Sequence, residues 1–94
     1  MKELLSKIGI TQPGHFSKDD NYVIDLENSE EFNKVFSKLD KSSEVEENDD
    51  ASVVNLNVTN IMYVSDDYSF NLIADFEQDT YKLVVSKITG GKDE

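Results

Sequence analysis

Cysteine, arginine and tryptophan are all missing from this sequence, and histidine and proline occur once each. Without cysteine there can be no disulfide, no thiolate zinc site and no thiol nucleophile. Without arginine there is no bidentate clamp for phosphate. The four glycines stand at Gly9, Gly14, Gly90 and Gly91, and none lies between a strand and a helix in the spacing of a phosphate-cradling loop. Long apolar runs are absent too. Nothing approaches the ~18 residues of a membrane span. The opening MKELLSKIGI lacks the apolar core, roughly 7–15 residues long, of a signal peptide. The expectation is a soluble, cytoplasmic protein that makes no membrane contact.

What the chain has is acid. Twenty Asp and Glu stand against nine Lys, giving a net charge of −11 on 94 residues. That charge opposes direct binding to nucleic acid phosphates or anionic lipid and favours a basic partner. Hydrophobic residues still make up 37% of the chain, with five Phe and four Tyr. This apolar content is too high and too regular for a disordered acidic protein, so a folded single domain is expected over residues 1–89, with 90–94 as a disordered tail.

Periodicity gives the elements. Met1, Leu4, Leu5 and Ile8 recur at helical spacing, with Gly9 as a stop. Residues 11–20 read as a loop around Pro13-Gly14. Tyr22, Ile24 and Leu26 alternate as a short strand. Asn28 then caps a helix, with Glu31 completing a capping-box pattern, and Phe32, Val35, Phe36 and Leu39 form its apolar face. Residues 42–50 carry five acids and no base, so 42–51 is expected to be a flexible, exposed acidic loop. From 53 to 64, Val54, Leu56, Val58, Met62 and Val64 share one parity, which predicts a single strand with a bulge near Thr59-Asn60. A turn at Ser65-Asp66-Asp67 leads to the alternating Tyr68, Phe70, Leu72, Ala74 and Phe76. A second turn at Gln78-Asp79 leads to Tyr81, Leu83 and Val85. The fold class is therefore α+β: a small α-β-α-β-β-β domain, an antiparallel meander with two helices packed on one face.

No catalytic constellation emerges. His15 lies in the Pro-Gly loop, and no nucleophile elbow surrounds any serine. Paired-carboxylate chemistry needs a cleft that so small a domain rarely forms. The acids of 42–50 lack the spacing and turn glycine of a calcium loop, so neither a metal nor any other cofactor is expected. Asn57-Val58-Thr59 matches a glycosylation sequon but falls inside a predicted strand. The chain reads as a binding protein and not as an enzyme.

The acids are unevenly placed. Residues 1–41 hold eight acids and six lysines, residues 82–94 two acids and three lysines, and residues 42–81 ten acids and no base. The candidate contact set is Glu44, Glu46, Glu47, Asp49, Asp50, Asp66, Asp67, Asp75, Glu77 and Asp79. Asp75, Glu77 and Asp79 share a parity that would project them about 7 Å apart from the wet face. At that spacing they reinforce one another within the ~8 Å screening length. In size, acidity and lack of catalytic residues the chain resembles phage-encoded DNA-mimic inhibitors of the anti-restriction and anti-CRISPR type. The resemblance implies an inhibitor whose carboxylates replace phosphates on a basic, nucleic-acid-binding protein. Two other readings stay open: an immunity protein or antitoxin neutralising a basic toxin, and a small regulatory module that docks through apolar surface. The sequence leaves monomer and homodimer equally open.

Overall fold

The computed structural model describes residues 2–50, 52–55 and 57–88. It is an α+β domain with two helices and a seven-stranded antiparallel sheet. In chain order the elements are α1 (Lys2–Ile8), β1 (His15–Phe16), β2 (Tyr22–Leu26), α2 (Ser29–Lys41), β3 (Glu46–Glu47), β4 (Val53–Val54), β5 (Val58–Val64), β6 (Tyr68–Asp75) and β7 (Thr80–Lys87). In space the strands run β1-β2-β7-β6-β5-β3, and β4 also pairs with β5. The tail at 90–94 lies outside the described residues, as does Leu56.

The meander β5-β6-β7 follows from two short turns, and its register decides which side chains go inside. Tyr63 pairs with Phe70, Phe70 with Val85, and Val85 with Tyr22. One step along, Leu72 pairs with Leu83 and Leu83 with Ile24. Directly paired residues share a face, so these rows form one continuous apolar surface. Phe70, Leu72, Ala74, Leu83 and Ile24 on it are wholly buried.

Both helices contribute their apolar stripes to this surface's core, Leu5 and Ile8 from α1 and Phe32, Val35 and Leu39 from α2. Helix α2 lies across β2, β7 and β6. Its start is set by Asn28, whose side-chain oxygen accepts from the Glu31 amide at 2.9 Å. The carboxylate of Glu31 accepts from Gln12 Nε2 at 3.2 Å, tying the 11–14 segment to the helix.

Helix α1 is two turns long and is held from outside. Gly9, at φ 98°, takes the left-handed position that ends the helix, and the Gly9 and Ile10 amides both donate to Leu5 O at 2.9 Å. Lys38 Nζ of α2 donates to Gly9 O at 2.6 Å. Gly14 is required for a different reason: a Cβ there would stand 2.6 Å from Val23 O, so backbone meets backbone too closely for any side chain.

Three expectations need correction. Residues 15–16, read as loop, form the edge strand β1 against β2, closed by a turn in which the Ser17 amide donates to Asn21 O at 2.7 Å. The stretch 53–64 is not one bulged strand but the hairpin β4-β5, because Asn55 Oδ1 accepts from both the Asn57 and Val58 amides and reverses the chain. Within β5 the inward parity is Thr59, Ile61 and Tyr63, so Val58, Met62 and Val64 lie on the opposite face.

The acidic segment also differs from a free loop. Glu46 and Glu47 pair with Val64 and Tyr63, and Val45 is buried in the core. Backbone pairing along β5 then skips: Glu47 pairs with Tyr63 but Val53 with Asn60, so the outer strand carries three extra residues between them. Ser52 fills the gap. Its hydroxyl accepts from the Met62 amide at 3.1 Å and donates to Asn48 O at 2.9 Å, standing in for a strand residue where Asp49 and Asp50 loop out.

Candidate partner-binding surface

Folding sorts the charges. The lysine-free stretch becomes β3, β4, β5 and β6, which are contiguous in the sheet and occupy one side of it. Among the described residues, the lysines lie on α1, on α2, at Lys18 and on β7. One half of the sheet therefore presents carboxylates with no cation among its own side chains.

Within that half the ten candidate acids fall into three groups. The first surrounds an open groove of about 720 Å³ between α1, the 43–46 segment and the β5-β6 turn. Glu44, Glu46, Asp66 and Asp67 line it, together with Glu3 and Lys7 from α1, over a floor that includes Leu4, Val45, Val64 and Tyr68. Three amide hydrogen bonds hold the turn. The Ser65 amide donates to Tyr68 O at 2.8 Å, the Tyr68 amide donates to Ser65 Oγ at 3.1 Å, and the Ile88 amide beyond β7 donates to Asp67 O at 2.8 Å. Asp66 and Asp67 thus ride on a pinned two-residue loop.

The second group is Glu47, Asp49 and Asp50 on the outer edge, where the β3-β4 connection loops out. A side-chain hydrogen bond with Asp49 pushes the Glu47 carboxyl above its usual range, helped by loss of solvent and by the charges of Asp49 and Asp40.

The third group, at the opposite end of the sheet, corrects the expected array. Strand β6 stops at Asp75, and residues 76–79 form a turn, so Asp75, Glu77 and Asp79 do not project in alternation from a strand. Asp75 Oδ1 accepts from the Glu77 and Gln78 amides at 3.1 and 3.2 Å. Asp79 adopts φ 56° and accepts a 2.9 Å hydrogen bond from the Tyr81 hydroxyl. That bond, reinforced by burial and the Asp79 charge, raises the Tyr81 pKa. Two of these three acids build the turn, leaving Glu77 as the carboxylate without a hydrogen-bonding duty in it.

Sequence reasoning missed two things. Glu3 and Lys7 line the groove, although α1 reads only as a fold element, because nothing local says which turn a helix will dock beside. The open face of the sheet carries Val23, Val58, Met62, Val64, Ile73 and Val84, all half-buried, with Val64 also bordering the groove beside α1. His15 is exposed on edge strand β1, across from Val23. Among the described residues no group of three His, Asp or Glu is placed to hold a metal ion, and no helix is long and apolar enough to cross a membrane. Comparison with protein-family models, with curated proteins and with solved structures finds no match for this chain.

Proposed function

We propose that this protein is a non-enzymatic acidic binding protein that inhibits a basic, nucleic-acid-binding partner, its carboxylates taking the place of phosphates. The observation that supports the reading most is the segregation of charge: ten acids and no base in residues 42–81, folded into one contiguous side of the sheet. A surface of one sign draws an oppositely charged partner from a distance and raises the rate of encounter. Asp66 and Asp67 on their hydrogen-bonded turn, with Glu44 and Glu46 across the groove, offer closely placed charge to a Lys- or Arg-lined channel at a reduced backbone ordering cost.

The test is capture of the partner from a host lysate at low and at high salt, followed by a competition assay. The reading expects a basic protein retained at low salt, released at high salt, and stripped of bound nucleic acid by this protein. Capture that is insensitive to salt, or a captured partner that holds nucleic acid undisturbed, contradicts it. A second reading, a regulatory module docking through apolar surface, is favoured by the six half-buried aliphatic side chains on the open face.

A further inference from the structure

An antiparallel sheet with one face in water normally turns polar residues to that side. Here the uncovered face mixes the two: Asn60, Ser69, Asn71, Lys82 and Ser86 stand on it, with an aliphatic zigzag running between them. Val23 and Val84 sit side by side on β2 and β7. Ile73 and Met62 continue the patch diagonally across β6 and β5, and Val58 and Val64 extend it toward the two ends of β5. All six are half-buried, and Val64 also borders the groove beside α1. Lys82, the cation on this face, stands between Asp25 on one side and Ile73 on the other.

The ends of the same strands carry charge of one sign. Asp66 and Asp67 cap the β5-β6 turn, with Glu46 paired beside Val64, and Glu77 stands in the β6-β7 turn at the other end. Strand β6 spans eight residues between those turns, or roughly 23 Å. A helix of about 16 residues has that length. Helices laid along a sheet's free face complete a third layer by burying an apolar stripe.

We infer that the open face docks a basic amphipathic helix of the partner, its apolar stripe on Val84, Ile73 and Met62 and its cationic ends at the two acidic turns. The inference rests on the basic-partner reading above and specifies how that partner is held. A second copy of this chain fits poorly as the occupant, since it would bring a further net charge of −11 against the same acidic turns.

The probe is a synthetic 16-residue peptide with leucines at i, i+3, i+4 and i+7 spacing and two lysines at each end. It is compared with an isomer of identical composition whose leucines do not share a helix face, and binding is read by fluorescence anisotropy. The amphipathic peptide is expected to bind at least tenfold more tightly than its isomer. Val84→Thr with Ile73→Thr should remove that advantage, with Met62→Gln as a second, milder face variant and circular dichroism as the check on folding. Equal affinity for the two peptides, no binding of either, or a folded face variant that binds like the wild type overturns the inference. Asp66→Asn, Asp67→Asn and Glu77→Gln together should weaken both peptides and flatten the salt dependence. If they leave affinity unchanged while the face variants abolish it, the electrostatic reading of the function fails and the docking face stands. If they abolish binding while the face variants do nothing, the docking face fails and the electrostatic reading stands.

Discussion

Tyr63 shows most clearly what a single residue contributes and costs. Its ring is one of the largest in the core and only 1% exposed, pairing with Phe70 across β5 and β6, yet its hydroxyl has no hydrogen-bond partner. Burial, with the nearby charges of Asp40 and Glu47, pushes the phenol up to about 12 from an ordinary value near 10. The neutral form is thus favoured in the folded state. Its contribution to stability is complete below pH ~10, where the unfolded tyrosine is also neutral, and is lost as pH climbs through about 12. Tyr63→Phe should leave stability at neutral pH within about 1 kcal/mol of wild type, because the lost hydroxyl had no partner to give up. It should also move the alkaline unfolding midpoint upward. Urea titrations at neutral and alkaline pH check both, and an unchanged alkaline limb would show that other groups govern it. Asn60 carries a comparable liability, a buried Oδ1 without a donor.

Among the elements, α2 was the most legible in sequence. Asn28 and the Phe32-Val35-Leu39 spacing marked its start and its buried face, and the structure keeps both, while the Glu31 carboxylate turns to Gln12 and leaves the capping box half made. Asn28→Ala removes the 2.9 Å cap to the Glu31 amide and should cost about 1 kcal/mol, read as a lower urea midpoint at constant slope. A change in slope would mean that the cap holds more than the helix end. The β6 and β7 strands were equally plain because their alternation is unambiguous. The parity of β5 was not, since Val58, Met62 and Val64 outweigh Thr59, Ile61 and Tyr63 in hydrophobicity. The deciding signal was present all the same. A two-residue loop at Asp66-Asp67 forces Val64 opposite Ser69 and Tyr63 opposite Phe70, so the wet side of β6 dictates the wet side of β5. The short strands β1, β3 and β4 carry no periodicity of their own. They exist because a neighbouring strand offers unpaired amides and carbonyls, and only the fold reveals that.

For the molecule as a whole, the composition announced an acidic body, and the fold refines where that acid stands. The lysine-free segment was legible as a segment. Its gathering on one side of the sheet required the strand order, and its division into a groove, an edge and a far turn required the register. Charge at the turn of Asp66 and Asp67 matters most to the account, because that turn is fixed by the backbone and adjoins Glu44 and Glu46 in the groove. Reversing Asp66 and Asp67 to lysine changes the net charge from −11 to −7 while touching no core side chain. The decisive measurement is the affinity of this double variant for the captured partner across a salt series, beside the wild type. A protein that binds through these carboxylates should lose tenfold or more at low salt, the loss shrinking as salt rises, with thermal stability retained. An affinity equal to wild type at every salt concentration would contradict it.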